Sequence, residues 1–155
     1  MEKTFLSIVI PTLNESANIL NLLNQLIKLE EIFNIEIIVV DDNSTDKTVE
    51  IVKNISKFKP IVRIISRIGR SGLASAIKEG IINATGEIVV VMDGDGQHEP
   101  SSIIEGINLL ISKKFDLVLG SRFHKKSYIK GLSNKREKGS NWANKFARRS
   151  LPNQY

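Results

Sequence analysis

Apolar positions along this chain follow two alternating rhythms. The runs FLSIVIP (5–11), IEIIVVD (35–41), IVRIIS (61–66), EIVVVMD (87–93) and FDLVLGS (115–121) are short and densely apolar, which predicts strands. Between them, ANILNLLNQLIKLEE (17–31), DKTVEIVKNISK (46–57), GLASAIKEGIINA (72–84) and PSSIIEGINLLISK (100–113) carry the helical period. In the first of these, Ile19, Leu22, Leu23, Leu26 and Ile27 fall on one face. Ser44 or Thr45 is expected to cap the second helix, and Pro100 suits the first turn of the fourth. Strand and helix in repeated succession imply an α/β fold, a mostly parallel sheet with helices on both faces. Strands without polar alternation fit a sheet covered on both sides. From Phe123 the pattern turns polar and basic, and a last helix is expected at GSNWANKFARRSL (139–151). With no internal repeat or low-complexity tract, residues 1–155 are expected to form a single domain.

Composition narrows the setting. The 155 residues are 41% hydrophobic and 25% charged, ordinary for one soluble globular domain. The absence of cysteine excludes a disulfide framework and a thiolate metal site. The opening MEKTFLSIVIPTLNE does not read as a secretory signal, and no segment approaches the ~20 apolar residues of a membrane span, so a cytoplasmic location is expected. The net charge of +5 is unevenly spread. Residues 1–112 carry 10 Lys/Arg against 15 Asp/Glu, and residues 113–155 carry 12 against 2. The basic end either faces a polyanion (phosphate, anionic lipid or nucleic acid) or is a solvated surface.

In open parallel sheets, ligands bind beyond the carboxyl ends of the strands, where strand order reverses. Pro11, Asn14 and Glu15 follow the first strand; Asp41, Asp42 and Asn43 end the second; Asp93, Asp95 and Gln97 end the fourth; Ser121 and Arg122 end the fifth. If strands one and four are neighbours, these groups converge on one crevice. Capping or turn formation is the plain alternative for any one of them. Asp93 and Asp95 lie two apart and point to the same side of an extended chain. Gly94 and Gly96 leave room for a ligand or for unusual backbone angles. Two carboxylates and an amide oxygen suit a hard cation such as Mg²⁺ or Mn²⁺, and the acidic spacing of an EF-hand calcium loop is incomplete. SRIGRSGLASAIKEG (66–80) has Gly69 and Gly72 before a helix but neither G-x-G-x-x-G nor a Walker lysine, which excludes the usual dinucleotide and P-loop sites. Its Arg70 reads either as an anion contact or as part of a plain helix entry. His98 reads as a base or a loop stabiliser, and Trp142 as an interfacial or a packed ring.

Together these residues resemble the family 2 glycosyltransferases of GT-A fold, within them the polyprenyl-phosphate sugar synthases of the dolichyl-phosphate mannose type. IVIPTLNES is similar to the family's P-T-Y-N-E element, and IIVVDDNSTDKT to its V-D-D-x-S-x-D-x-T element. GLASAIKEGIINATGEIVVVMDGDGQHEP resembles the G-L-x-x-A helix and D-A-D-x-x-H-P loop. FDLVLGSRF resembles the G-S-R-Y strand, and GLSNKREKGSNWANKFAR the W-S-x-x-R-x-x-x-S-x-x-A-N-x-x-A-R stretch. These last two set the lipid-phosphate branch apart. Leu13 stands where the family usually has Tyr, and Gly94 where it usually has Ala. The family continues past ARRSLPNQY into a D-x-T-S-G-F-R-like element that this chain does not contain.

The resemblance implies a Rossmann-like GT-A domain, cut after the fifth main strand and a basic helix, with 1–122 as the nucleotide-sugar and metal half and 123–155 as a partial acceptor and membrane-facing segment. Pro11, Leu13, Glu15, Val40 and Asp42 would hold the nucleoside of a GDP-mannose or UDP-glucose type donor, with Asp93, Gly94, Asp95 and Arg122 beside its diphosphate. Asp93, Asp95 and Gln97 would bind Mg²⁺ or Mn²⁺, Asp95 and Arg122 would be catalytic, and Arg136 and Ser140 would receive the acceptor phosphate. The implied reaction is inverting transfer of mannose or glucose to a polyprenyl phosphate at the cytoplasmic face of a membrane, by a peripheral protein. The chain then reads as a truncated product, a fragment, or half of a split enzyme, and in the last case a separate polypeptide would supply the absent element. Nucleotide-sugar binding without turnover and transfer to a saccharide hydroxyl are the alternatives within the family. A nucleic-acid module is disfavoured, because the basic end lacks interleaved aromatics.

Overall fold

Among the described residues, four parallel strands and four α-helices alternate: β1 (Phe5–Thr12), α1 (Ile19–Ile27), β2 (Asn34–Asp41), α2 (Thr48–Phe58), β3 (Val62–Ser66), α3 (Leu73–Ile82), β4 (Ile88–Val91) and α4 (Pro100–Lys113). The computed structural model describes residues 3–96 and 100–120. All but Leu119 and Gly120 belong to one compact unit, Met1–Val118. The strand order is β3-β2-β1-β4. From β1 the chain moves outward through β2 to β3, then returns to the other side of β1 for β4. The switch point therefore lies between β1 and β4, where ligands of such sheets bind. Pro11 is level with Val40, and Thr12 with Asp41.

Strand periodicity sorts the core into two layers. Leu6, Ile8 and Ile10 of β1 and Ile35, Ile37 and Val39 of β2 pack with Leu22, Leu23 and Leu26 of α1, Val52 of α2, and Ile103 and Ile107 of α4. On the other face, Val9, Ile38 and Val40 pack with Ala76 of α3. A Cβ on Gly80 of α3 would come within 2.2 Å of Val9 Cγ1, so glycine is what lets this helix lie close on the sheet. Cover on this second face is partial. Val89 and Val91 of β4 remain exposed, unlike the expectation of two fully covered faces.

The first three helices start one or two residues later than their apolar patterns suggest, whereas α4 starts at Pro100 as expected. Neither Ser44 nor Thr45 caps α2: the Thr48 N–H at its start donates to Asp46 Oδ1 at 2.9 Å. The expected fifth strand is also corrected among the described residues. Lys114 adopts φ 52° at the end of α4, and Phe115–Gly120 form no strand, with Leu117 and Leu119 largely exposed. An apolar run becomes a strand only where a partner edge receives its hydrogen bonds. The basic helix expected at 139–151 lies outside the described residues.

Candidate functional site

The site is assembled from the four loops at the carboxyl ends of the strands. The loop after β1 is fastened to the loop after β2. Asn14, at φ 57°, donates its N–H to Ser44 Oγ at 2.8 Å, and its Oδ1 accepts the Thr45 N–H at 2.9 Å. Asparagine tolerates this left-handed backbone better than most residues. The Glu15 N–H donates to Thr48 Oγ1, and the Ser16 N–H to Asp46 Oδ2. Asp46 has its carboxyl held far below the usual range, first by the Thr48 hydroxyl, with its backbone N–H and Ser16 adding and burial opposing.

The adjacent carboxylates Asp41 and Asp42 have separate duties. Asp41 is fully buried and accepts from the Thr12 hydroxyl at 3.2 Å, the Ser44 N–H at 2.9 Å and the Ser44 hydroxyl at 2.5 Å. Asp42 turns the other way. Its Oδ1 accepts from Arg67 Nη1 at 2.6 Å, and its Oδ2 from the Gly72 N–H at 2.6 Å. Gly72 has φ 117°, which an L side chain rarely adopts, and this conformation delivers its N–H to the carboxylate.

Beyond β4, the Met92 N–H still bonds to Val9 O at 3.1 Å, and the chain then passes Asp93–Gly96 across the end of β1. Gly94 is buried, with Thr12 Cγ2 at 3.0 Å from where a Cβ would stand. Its φ is not in the left-handed region, whereas Gly96 adopts φ 72°.

These loops enclose a cleft of about 390 Å³ at the switch point. Pro11, Thr12, Leu13 and Glu15 form one side, Asp42 and Ser71, Gly72, Leu73 and Ala76 another, and Asp93, Gly94 and Asp95 a third. Four carboxylates thus reach one small space. That of Asp42 is offset by Arg67, and Glu15 accepts from Asn18 Nδ2 at 3.0 Å. Asp93 and Asp95 offer hard oxygen donors from one loop, a set that fits Mg²⁺ or Mn²⁺ when phosphate oxygens complete the shell. Among the described residues no group of three or more His, Cys, Asp or Glu forms a closed metal cage.

Of the residues singled out from sequence, Pro11, Leu13, Glu15, Asp42, Asp93, Gly94 and Asp95 line the cleft together. Val40 is not brought to its wall: its side chain is fully buried, in the cluster that holds Ala76. Asn14 and Asp41 fasten loops and do not line the cleft. Arg70 pairs with Glu79 at 3.1 Å. Gln97, His98, Arg122, Arg136, Ser140 and Trp142 lie outside the described residues. Sequence reading overlooked Thr12, Ser71, Leu73 and Ala76 in the wall, and Arg67 behind it. The available signal for Arg67 was an arginine placed between an apolar strand and a glycine-containing loop.

Comparison with known proteins places this cleft in context. The model of Glycosyl transferase family 2 matches residues 7–154. The dolichol-phosphate mannosyltransferase of Pyrococcus furiosus is 39% identical over 125 residues, covering 81% of this chain and 34% of that protein. That of Mycosarcoma maydis is 35% identical over 123 residues, covering 76% of this chain and 42% of the relative. This chain therefore spans less than half the length of either relative. A mannosyltransferase of Pyrobaculum calidifontis, solved in complex with GDP-Man and Mn²⁺, superposes with a TM-score of 0.60 at 27% identity, covering 71% of this chain and 33% of that one. With the family model spanning nearly its whole length and a cleft at the β1/β4 switch point, the chain belongs to glycosyl transferase family 2.

Proposed function

We propose that this chain is the donor-binding portion of an inverting hexosyltransferase that moves mannose or glucose from a nucleoside diphosphate sugar to a polyprenyl phosphate. One observation carries the reading: Asp42 from the end of β2, and Asp93 and Asp95 from the end of β4, open into the same cleft on either side of β1. In this reading Asp42 accepts an N–H of the base, and Pro11, Leu13 and Glu15 border the nucleoside. Asp93 and Asp95, with Gln97, would hold Mg²⁺ or Mn²⁺, whose charge offsets that gathering on the leaving diphosphate. Arg122 would contact phosphate, and Arg136 and Ser140 would orient the acceptor.

A phosphate monoester has a second pKa near ~6 and is largely an anionic nucleophile at neutral pH, so no strong general base is needed. The protein's task is then alignment, which arginine performs through paired hydrogen bonds. The relatives named as dolichol-phosphate mannosyltransferases favour a lipid phosphate over a saccharide hydroxyl. The basic 113–155 segment would face the anionic cytoplasmic surface of a membrane. No helix among the described residues is long and apolar enough to cross one.

Calorimetry of GDP-mannose and UDP-glucose with and without Mn²⁺ tests the donor half. Metal-enhanced binding of one of them is expected, and no binding of either would refute it. Transfer of labelled sugar to a short polyprenyl phosphate, alone and with a separately supplied downstream polypeptide, tests the acceptor half. Binding without transfer under both conditions would leave the chain a nucleotide-sugar binder.

A further inference from the structure

The largest fully buried side chain in the described structure is a charged one, Arg67, at 2% exposure. It stands just past the end of β3, where its N–H extends the sheet by donating to Asp41 O at 2.9 Å. Its guanidinium meets four partners. Nη1 donates to Asp42 Oδ1 at 2.6 Å and Gly72 O at 3.3 Å, Nη2 to Ser75 Oγ at 2.6 Å, and Nε to Glu79 Oε2 at 3.2 Å. Burial of a guanidinium is costly and persists only where its donors are satisfied. Here they are satisfied by the carboxylate at the cleft, by the helix entry beside it in the same wall, and by Glu79 further along α3.

The geometry points to Arg67 as a positioning residue for nucleoside recognition: it does not itself line the cleft, yet it holds Asp42 and the Gly72 carbonyl of the same wall in place against each other. A carboxylate has about four acceptor positions. Arg67 takes one on Oδ1 and the Gly72 N–H one on Oδ2, so the group cannot rotate and its remaining lone pairs keep a set direction. Arg67 also holds the Gly72 carbonyl, while the Gly72 N–H holds Asp42, which closes a ring through one glycine. A donor N–H on a purine or pyrimidine ring then meets an acceptor already aligned. Glu79 completes the charge balance, bonded to Arg67 through one oxygen and to Arg70 through the other. A lysine at position 67 would keep the charge but could not span these four partners, because a point ammonium lacks the planar fork.

This inference rests on the reading of the cleft as a nucleoside site, and the experiment separates the two. GDP and UDP are titrated into the full chain and into Arg67→Lys, Asp42→Asn and the double variant, each with and without Mn²⁺. Each variant is checked by far-UV circular dichroism. Arg67→Lys is expected to weaken the better-bound nucleotide about ten-fold while leaving the ratio of affinities with and without Mn²⁺ unchanged. In the Asp42→Asn background the same change is expected to cost less than about three-fold, since two residues acting through one interaction are not additive. Wild-type affinity in Arg67→Lys, or a loss that adds in full to that of Asp42→Asn, overturns the positioning role while the site stands. Absence of nucleotide binding in the wild type overturns the site and the role together. If Arg67→Lys does not fold, Ser75→Ala removes one anchor of the guanidinium outside the cleft wall. It is expected to weaken binding about two- to five-fold, and unchanged affinity overturns the role.

Discussion

Leu13 lies exposed on the rim of the cleft, where an apolar side chain gains little unless a ligand covers it. A flat ring stacked there would bring about 0.5–1.5 kcal/mol with an aromatic side chain. Leu13→Tyr is therefore expected to tighten nucleotide binding by roughly two- to ten-fold, read by calorimetry; no change would mean that the side chain does not meet the base. Asp95→Ala is expected to abolish the Mn²⁺ dependence of donor binding, and a retained dependence would refute the metal assignment. The placement of the site residues was legible in part. Asp93 and Asp95, singled out by their spacing after an apolar strand, do line the cleft. The residue pattern alone did not tell Asp41 from Asp42, which only the family resemblance separated, because which of them turns inward is decided by Thr12 at the end of β1 and Ser44 in the loop after β2. Arg67 was passed over for a related reason: one arginine after a strand reads as a solvated strand end until its partners at the end of β2 and on α3 are in place.

At the scale of elements, two junctions fix how the helices meet the sheet. Gly80→Ala would drive a methyl into Val9 and, at α3, is expected to cost about 1–3 kcal/mol in urea unfolding, the usual range for overpacking. The second junction is the turn from α3 into β4. Glu36 of β2 accepts from the Ser7 hydroxyl at 2.6 Å, from the Thr85 N–H at 2.6 Å and hydroxyl at 2.7 Å, and from Arg63 at 2.9 Å. Burial alone would raise its carboxyl, but these donors outweigh it and hold the pKa at about 2, below the ordinary 4.5. A depressed carboxylate stabilises the fold above its unfolded pKa and ceases to do so as acid protonates it. Stability on the order of 2 kcal/mol is thus expected to fade as pH falls from about 4.5 to about 2. Glu36→Gln should flatten this part of the profile in urea titrations at stepped pH, and an unchanged slope would discount the network. Helix and strand identities were readable from periodicity, whereas the absence of a strand at Phe115–Gly120 was not, since periodicity records apolar character and not the presence of a pairing edge.

For the whole molecule, the charge distribution sets an expectation independent of the cleft. Residues 113–155 carry 12 basic against 2 acidic side chains, whereas residues 1–112 are net acidic. Binding to vesicles of phosphatidylserine and phosphatidylcholine is expected at low salt and should vanish near ~0.5 M salt, where screening falls to a few ångströms. Salt-insensitive binding, or none, would discount the membrane-facing reading. The parallel order of the strands was inferable from their alternation with helices, and so was the end of the sheet that carries the site. That same order gives the sheet two poles. The Glu36 network binds the amino ends of the strands, and the cleft occupies their carboxyl ends. One stabilising network therefore lies apart from the proposed recognition site, so the familiar compromise between a sturdy protein and an active one does not bind it. A designer could reinforce the amino pole freely and leave the chemistry at the other untouched.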